Sequence, residues 1–378
     1  MLERMAAQLA SLRVADQFRD LRIPPGIQLN SNDYLALSSH PLLKQAIQHA
    51  VEEDERIAST GSRLLSGHHA RWDQLEGEFA EFLGVDASLY FPSGYTANIG
   101  LLSSILKPED TVFSDAANHA SLIDGVRLSR AKRVVFPHLD LHYLEAALRR
   151  ETGSGQKVIV VESIFSMDGD HAPLEELLRL CERFGALLIV DEAHSTGVDG
   201  EAGRGAVHEA GRSEYILATI HTCGKALASM GAFVAGSDTL RDFLINQARP
   251  FIYTTGLPPY CAAHVREALV LVRQGDAERR HLRNLGEYLR SRMRAAGFDV
   301  RGSNSQIVPL VLGSNEAAVR FATAVADAGF AVRAIRPPTV PPGSARLRLS
   351  LNAGLTTGNI DALLHALTAA RDAEVVSG

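Results

Sequence analysis

The sequence has few cysteines and lacks any long hydrophobic run. Its three cysteines, Cys181, Cys223 and Cys261, are widely separated and odd in number, which fits neither a disulfide framework nor a set of metal ligands. We therefore expect a cytoplasmic protein without a metal site. No stretch reaches the roughly 20 apolar residues that span a bilayer, and the first 18 residues indicate an amphipathic helix rather than a signal peptide. Neither a membrane segment nor a membrane partner is expected.

The sequence also has no excess of basic residues. The 38 basic and 44 acidic residues give a net charge of -6, so no overall field would attract nucleic acid, although a local basic pocket for an anionic substrate is compatible with this balance. Hydrophobic residues make up 46% of the chain and charged residues 22%, which is typical of a globular protein. At 378 residues the chain is long for one core, and we predict a large domain with a smaller companion.

Short β-branched runs alternate with helical stretches from about Pro41 onward. The runs are SLYF (88–91), TVFS (111–114), RVVF (133–136), KVIVV (157–161), LLIV (187–190), ILATI (216–220) and AFVAG (232–236). This rhythm predicts an α/β fold with a mostly parallel sheet. Because the runs are almost continuously apolar, we expect helices to cover both faces of that sheet.

The layout changes after Pro258 and Pro259. A charged helical region follows at 275–297, and short strands at 307–312 and 346–350 are interleaved with helices at 315–328 and 359–373. This pattern is typical of a smaller α+β domain. We predict three parts: an N-terminal arm (1–40), a large α/β domain (41–275) and a small C-terminal α+β domain (276–378).

Two polar residues, Asp191 and His194, come at the carboxyl end of the apolar run LLIV. In open α/β sheets this edge is where ligands bind, and a buried carboxylate there needs a cationic or hydrogen-bonding partner. The tetrapeptide Asp191-Glu192-Ala193-His194 also matches a helicase motif, but the phosphate loop that an ATPase requires is missing, because Gly224-Lys225 is followed by Ala226. A protonated pyridine nitrogen would be a suitable partner for Asp191.

Lys225 follows the run ILATI and is flanked by small residues in HTCGKALASMGAFVAGS (221–237). Desolvation lowers the pKa of a lysine, and an imine-forming lysine needs that property. The alternative is a solvated lysine at a strand end. The presence of Asp191 at a neighbouring strand end favours the imine-forming interpretation.

Two further segments indicate a candidate phosphate site and another candidate functional residue. In FPSGYTANIG (91–100), Ser93, Gly94, Tyr95 and Thr96 precede a helix whose N-terminal amides could bind an anion, although a plain helix cap is the alternative. His119 follows the run TVFS, again at a strand end. It is a candidate functional residue, and a capping or packed histidine is the alternative.

A proline-stiffened loop leads into the strand RLRLS, which carries Arg346 and Arg348. Residues two apart on a strand share one face, so the two guanidinium groups should point the same way. Rigidly placed guanidinium groups suit carboxylate recognition. A solvated pair of arginines is the alternative.

These motifs together resemble the α-oxoamine synthase family of fold-type I enzymes, which use pyridoxal 5'-phosphate (PLP). The order and spacing of the matching segments are specific, and they extend along nearly the whole chain. The segments are LNSNDYLALSSHP (29–41), STGSRLLSGHHARWDQLE (59–76), FPSGYTAN, NHAS, ESIFSMDGDHAPL (162–174), VDEAHSTGVDGEAGRG, HTCGKAL, FIYTTGLPP (251–259) and AIRPPTVPPGSARLRLSL. Ala36 and Ala228 stand where members often have glycine, which puts the loop geometry there in doubt.

The resemblance implies a role for each candidate residue. Lys225 would form the Schiff base with PLP, Asp191 would pair with the pyridine nitrogen, and His119 would stack on the ring. His194 would hydrogen-bond the ring oxygen, with Ser166 nearby. The phosphate would be held by Ser93, Gly94, Tyr95 and Thr222, and Thr254 and Thr255 would reach the phosphate of a neighbouring subunit. The amino-acid carboxylate would be bound by Asn32 and Arg348, with Arg336 close by.

The resemblance also implies a decarboxylative condensation of an amino acid with an acyl thioester. The final matching segment has the form associated with the member that uses L-alanine and a pimeloyl thioester, on CoA or acyl carrier protein, in biotin biosynthesis. A homodimer with shared active sites is the implied assembly. Two alternatives stay open: a sister enzyme acylating glycine or serine, such as 2-amino-3-ketobutyrate CoA ligase, and a silent partner subunit. The joint presence of Lys225, Asp191, His119 and His194 argues against the silent subunit.

Overall fold

The computed structural model of the chain describes residues 1–21, 23, 25–211 and 214–377. Its chain contacts divide it into two units. The large unit comprises Leu35–Ser166 and His171–Arg279, and the small unit comprises Met1–Tyr34, Met167–Asp170 and Arg280–Gly378.

The helices and strands follow one another along the chain. The α-helices are α1 (Leu2–Val14), α2 (Pro41–Glu53), α3 (Ala70–Leu83), α4 (Gly94–Ile105), α5 (Ala120–Ser129), α6 (Leu141–Arg150), α7 (Leu174–Phe184), α8 (Ala206–Glu209), α9 (Asp238–Gln247), α10 (Arg249–Ile252), α11 (Tyr260–Gln274), α12 (Asp276–Ala295), α13 (Asn315–Asp327) and α14 (Thr357–Ser377). A 3-10 helix spans Glu201–Gly203. The β-strands are β1 (Ile27–Gln28), β2 (Ala87–Phe91), β3 (Thr111–Asp115), β4 (Lys132–Phe136), β5 (Lys157–Glu162), β6 (Ala186–Asp191), β7 (Ile216–Thr222), β8 (Ala232–Gly236), β9 (Ile307–Gly313), β10 (Phe330–Ala331), β11 (Ala334–Ile335) and β12 (Ala345–Ser350).

The large unit is built on a seven-stranded sheet with the order β2-β8-β7-β6-β5-β3-β4. The pairs β3–β4, β3–β5, β5–β6 and β6–β7 are parallel, whereas β8 runs antiparallel to both of its neighbours. Each of the seven apolar runs forms one of these strands. The prediction of an α/β fold with a mostly parallel sheet is therefore confirmed.

Helices cover both faces of this sheet. Alternate residues of β5 enter different cores: Val158 and Val160 pack in one core with residues of α4 and α5, and Ile159 and Val161 pack in the other with residues of α6 and α7. Burying each such side chain contributes about 1.5–3 kcal/mol relative to leaving it exposed. The run of consecutive apolar residues is explained by these two buried faces, as expected for a sheet between helical layers.

The small unit contains the antiparallel sheet β11-β12-β9 and the parallel pair β1–β10. Helix α13 packs on β12 and on α14. The predicted strands at 307–312 and 346–350 correspond to β9 and β12, and the predicted helices at 315–328 and 359–373 correspond to α13 and α14. The C-terminal region is therefore α+β.

The unit boundaries differ from the positions 40/41 and 275/276 that the sequence suggested. The structure divides the chain at Tyr34/Leu35 and again inside α12, at Arg279/Arg280. The N-terminal segment belongs to the small unit because β1 pairs with β10, and the backbone N–H of Leu29 donates to Ala331 O at 3.0 Å. Pairing between strands about 300 residues apart leaves no local signal in the sequence.

Among the residues that the structure describes, no helix combines the length and the apolar character needed to cross a membrane.

Candidate active site

The polar residues singled out at strand ends come together at one edge of the large sheet. Strands β7, β6, β5 and β3 are consecutive neighbours, and all four are parallel, so their carboxyl ends meet. Lys225 follows β7, Asp191 ends β6, Ser166 follows β5 and His119 follows β3. This is the edge at which open α/β sheets bind ligands.

Lys225 lies on a tight loop between β7 and β8. The backbone N–H of Ser229 donates to Cys223 O at 2.9 Å, and that of Ala228 donates to Lys225 O at 2.8 Å. The Nζ atom of Lys225 lies 2.7 Å from Nε2 of His194, which is buried. An amine and an imidazole at this distance can share and pass a proton.

Asp191 is buried and held by two donors. The backbone N–H of Ala193 donates to Oδ1 at 2.9 Å, and Asn98 Nδ2 donates to Oδ2 at 2.8 Å. These bonds fix the orientation of the carboxylate while leaving it further acceptor capacity. A cationic ring nitrogen could use that capacity.

His119 caps the N-terminus of α5, so the capping alternative describes part of what it does. Its Nδ1 accepts from the backbone N–H of Ser121 at 3.3 Å and lies 2.7 Å from Ser121 Oγ. Although the residue is open to solvent on one side, burial lowers the pKa of His119; the Asp191 charge opposes that shift and the Lys225 charge adds to it. The ring therefore favours the neutral form.

Glu162 ends β5 and was not singled out from the sequence. It is paired in register with Asp191 and is 2% exposed. Its carboxyl accepts from the backbone N–H groups of Ser166, at 3.2 Å, and of His119. Burial first and the Asp191 charge second raise the pKa of Glu162 to about 8. A charged residue closing an apolar strand is the same signal that identified Asp191, so the sequence could have indicated Glu162.

The N-terminus of α4 forms the candidate phosphate site. Ser93 caps it, accepting from the backbone N–H of Thr96 at 3.2 Å. A Cβ atom on Gly94 would lie 2.4 Å from Thr222 Cγ2, so only glycine lets the helix terminus approach the end of β7 this closely. The first N–H groups of a helix have no intrahelical partner and suit an anion. A plain helix cap explains the role of Ser93, but it does not explain why Gly94 lies so close to Thr222.

Tyr95 projects from the first turn of α4. Its hydroxyl donates to Asp124 Oδ2, and this bond raises the pKa of Tyr95. The ring centroid lies 6.3 Å from that of His119 in an edge-to-face arrangement. Tyr95 thus borders His119 with its ring, whereas its backbone N–H belongs to the helix terminus.

Thr254 and Thr255 lie just after α10. Thr255 is exposed and forms an isolated bridge with Ser62, and the backbone N–H of Gly256 donates to Gly61 O at 3.0 Å. The loop is therefore anchored while Thr255 stays accessible on this chain. That placement is compatible with the prediction that these threonines serve a second subunit.

In the small unit, Arg348 is hydrogen-bonded to Asn32. Its guanidinium donates to Asn32 Oδ1 at 3.1 Å and to Ser350 Oγ at 2.6 Å, and Tyr34 OH donates to the same Asn32 oxygen at 3.1 Å. Arg348 is 8% exposed and Arg346 4% exposed. The alternative of a solvated arginine pair is therefore wrong.

The other two arginines have different surroundings. Arg346 pairs with Asp168 at 2.6 Å, which compensates its buried charge. Arg336 donates to the backbone carbonyls of Asp16 and Phe18, directly after α1, and burial lowers the pKa of Arg336. Its guanidinium is thus engaged by the N-terminal segment, and its role toward a carboxylate stays a prediction.

Both alanines that depart from the family pattern adopt the left-handed backbone conformation. Ala36 has φ 56° and Ala228 has φ 45°. An alanine in that conformation costs about 1–2 kcal/mol, so the loops keep the glycine-type geometry at an energetic cost. At both positions the backbone therefore has the conformation that, of all residues, glycine adopts most readily.

The residues at the sheet edge fit PLP. Two buried oxygen atoms, Asn98 Oδ1 and Glu162 Oε1, have no hydrogen-bond partner among the described residues, and buried polar atoms are normally satisfied. The Asp191 carboxylate suits a pyridinium, Lys225 suits an imine, and the helix terminus at Gly94 suits a phosphate. The donors and acceptors needed for each part of the cofactor are therefore present.

Behind this edge, His221 is buried between two threonines. Its Nδ1 lies 2.9 Å from Thr196 Oγ1 and its Nε2 lies 2.7 Å from Thr219 Oγ1. Burial lowers the pKa of His221 to about 3.

Glu192 of the helicase-like tetrapeptide is buried nearby, where it accepts from Val207 N at 2.9 Å and from Ser195 Oγ at 3.0 Å. Its carboxylate is therefore used in hydrogen bonds that stabilise the fold.

We expect His221 to make the protein less stable in acid. Below pH 6.5 the unfolded histidine binds a proton that the folded one does not. The free energy of unfolding therefore decreases as the pH is lowered from 6.5 to about 3. Between pH 7.5 and 5 this amounts to about 2 kcal/mol. Urea unfolding of His221→Gln should lack this part of the fall, whereas His142→Gln, on exposed α6 surface, should retain it. An equal fall in wild type and His221→Gln would contradict the assignment.

The chain is similar to known proteins in sequence and in fold. The family model for aminotransferase class I and II matches residues 24–367. An 8-amino-7-oxononanoate synthase from Marinobacter nauticus is 45% identical over 342 residues, which cover 90% of this chain and 86% of the relative. The solved 8-amino-7-oxononanoate synthase from Francisella tularensis superposes with a TM-score of 0.81 at 30% identity, covering 93% of this chain and 99% of that one. Serine palmitoyltransferase from S. paucimobilis, with bound PLP and myriocin, superposes with a TM-score of 0.90 at 28% identity, covering 98% of each chain.

Proposed function

This chain belongs to the aminotransferase class I and II family, and from this premise we propose that it is a PLP-dependent C-acyltransferase condensing L-alanine with a pimeloyl thioester. The product would be 8-amino-7-oxononanoate, made in the cytoplasm for biotin biosynthesis, and the acyl group would arrive on CoA or acyl carrier protein. The observation that carries the proposal is the convergence of Lys225, Asp191, His194 and His119 at one sheet edge. The 45% identity to a synthase of this name supports the choice of substrates.

The reaction removes the α-proton of alanine, joins the α-carbon to the acyl carbonyl carbon as the thiol leaves, releases carbon dioxide, and returns a proton to the α-carbon. PLP, when bound, supplies the electron sink that makes the α-carbon reactive. The protein supplies orientation, charge and proton transfer. Each of these tasks can be assigned to a residue at the sheet edge or in the small unit.

We assign the proton transfers to Lys225 with His194. The 2.7 Å distance between Lys225 Nζ and His194 Nε2 lets the imidazole accept a proton from the amine and return it. The buried position of His194 shields this exchange from water. Asp191, held by Ala193 and Asn98, would keep the ring nitrogen of the cofactor protonated.

The residues that hold the cofactor follow from their positions. The N–H groups of Gly94 and Tyr95 and the Thr222 hydroxyl would bind the phosphate at the end of α4, with Ser93 closing the cap. The Ser166 hydroxyl would lie beside the ring oxygen with His194. Thr254 and Thr255 would contact the phosphate of a second subunit, and the exposure of Thr255 supports a homodimer with shared sites.

We assign recognition of the amino-acid carboxylate to Arg348 and Asn32. Replacing Arg348 by methionine should raise the KM for L-alanine about 10- to 100-fold, because a charged hydrogen bond contributes roughly 1.5–3 kcal/mol. The KM for the acyl thioester should change little. Steady-state kinetics with each substrate varied in turn measures both constants.

The matched control is Arg346→Met, two residues away on β12, whose guanidinium pairs with Asp168. It should weaken the fold without a selective rise in the KM for L-alanine. If Arg346→Met raised that KM as much as Arg348→Met does, the assignment of Arg348 would be wrong.

The proposal is tested by offering the holoenzyme L-alanine, glycine and L-serine, each with pimeloyl-CoA, acetyl-CoA and palmitoyl-CoA. Thiol release and product mass report the reaction. Only alanine with pimeloyl-CoA should release thiol efficiently and give 8-amino-7-oxononanoate. A preference for glycine with acetyl-CoA would indicate 2-amino-3-ketobutyrate CoA ligase instead, and a preference for serine with palmitoyl-CoA would indicate serine palmitoyltransferase, which the chain resembles at 28% identity.

A further inference from the structure

A continuous chain of hydrogen bonds connects Asp191 to His119. Asn98 Nδ2 lies 2.8 Å from Asp191 Oδ2 and 2.8 Å from Ser121 Oγ. Ser121 Oγ in turn lies 2.7 Å from His119 Nδ1. Asn98 is 2% exposed and Ser121 is fully buried. Neither residue was singled out from the sequence, and together they join α4 and α5 to the end of β6.

The donors and acceptors give this series of hydrogen bonds one direction. The Asp191 carboxylate is an acceptor, as its bond from the Ala193 N–H requires, so the amide nitrogen of Asn98 must face it. The two hydrogens of that nitrogen serve Asp191 and Ser121. Because Ser121 Oγ accepts from Asn98, its own hydrogen is available for His119.

His119 Nδ1 therefore accepts twice, from the Ser121 hydroxyl and from the Ser121 backbone N–H at 3.3 Å. A ring nitrogen that accepts hydrogen bonds carries no proton, so the neutral imidazole must be protonated on Nε2. The charged groups acting on His119 are Asp191 and Lys225, and Tyr95 packs against its edge. Burial favours the neutral form, which agrees with the hydrogen-bond pattern.

We propose that Asn98 and Ser121 are positioning residues that hold His119 as the Nε2-protonated neutral imidazole and link its orientation to that of Asp191. The proposal rests on the proposed function, since it takes His119 as the residue that stacks on the PLP ring and Asp191 as the partner of the ring nitrogen. Through this bridge, the stacking ring and the carboxylate keep one fixed geometry. A shift of either group would move the other.

The direct test is the tautomer of His119 in the PLP-loaded enzyme, measured by nitrogen NMR of the imidazole. The wild type should be protonated on Nε2. In Ser121→Ala only the longer bond from the backbone N–H to Nδ1 remains, so the Nδ1-protonated fraction should rise above that of the wild type. The pH midpoint of the PLP absorption band should also shift in Ser121→Ala and in Asn98→Ala. Ser104→Ala is the control, because among the described residues the Ser104 hydroxyl on α4 bonds only to carbonyls of its own helix. It should change neither signal.

Turnover provides a second readout. Each single substitution should lower kcat by up to about 100-fold, which is the scale of a misplaced site group. The double variant Asn98→Ala/Ser121→Ala should lose no more than the worse single variant, because either change breaks the same chain. Ser121→Thr, which keeps the hydroxyl, should restore the wild-type tautomer.

Three results would overturn the proposal: a wild-type His119 protonated on Nδ1, an unchanged PLP band in Asn98→Ala, or a double variant whose loss equals the product of the two single losses. If Asn98→Ala does not fold, the tautomer in Ser121→Ala still decides. A wild type that binds no PLP would instead refute the proposed function, so the two failures are distinguishable.

Discussion

Replacing Lys225 by alanine is expected to abolish both turnover and the visible absorption band of the imine between PLP and this lysine. Lys225 is the residue placed to form the imine, and its Nζ lies 2.7 Å from Nε2 of His194, close enough to pass a proton. A positioned acid–base group alone contributes roughly 10²–10⁴-fold, and this lysine would also hold the cofactor covalently. The loss in kcat should therefore exceed about 10³-fold, as measured by thiol release, and mass spectrometry after borohydride reduction should find no PLP adduct.

The control for this variant is Lys44→Ala, on the exposed surface of α2, which should retain both the adduct and the activity. Circular dichroism should show that both variants are folded. If Lys225→Ala kept wild-type turnover, the assignment of the whole sheet edge would be refuted, because no other role there explains the position of this lysine.

The second large effect is expected for Asp191→Asn. The substitution removes the charge that would keep the ring nitrogen protonated, and it turns one acceptor into a donor that faces the N–H of Ala193 or Asn98. Losing one preorganised electrostatic group costs about 10²–10³-fold in kcat. The variant should still carry its PLP adduct on Lys225, so kcat should fall much more than cofactor content.

Asp115 provides a matched control, since it also ends a strand and is buried. Its carboxylate accepts from the backbone N–H groups of Ala117, at 2.8 Å, and Leu139, at 3.0 Å. Asp115→Asn should lower the free energy of unfolding while leaving kcat per bound PLP near the wild-type value. Equal losses of kcat in the two variants would mean that Asp191 acts only by supporting the fold.

Much of the fold and of the site could be predicted because the signals are local. A run such as KVIVV predicts a strand by itself, and its continuous apolarity predicts two covered faces. Residues that follow such runs must lie at one edge once the strands are parallel, which is why Asp191, His194, Lys225 and His119 could be selected before their geometry was known. Glu162 has the same signature and could have been included.

The remaining features depend on pairings that no local pattern displays. Asn98 lies inside an apolar helix, and only the approach of α4 to β6 and α5 reveals that its amide joins Asp191 to Ser121. The place of the N-terminal segment in the small unit depends on the pairing of β1 with β10. The antiparallel direction of β8 is set by its loop from β7, which also carries Lys225.

The most direct test of the central claim is a visible absorption spectrum of the purified protein, recorded while L-alanine, glycine and L-serine are added in turn, each followed by pimeloyl-CoA. The account predicts a PLP band that responds to L-alanine, with a new long-wavelength band and thiol release when pimeloyl-CoA follows. A band that responded to glycine or serine in preference to alanine would contradict the assigned substrate. The absence of any PLP band in protein supplied with the cofactor would contradict the role of Lys225 and, with it, the whole account.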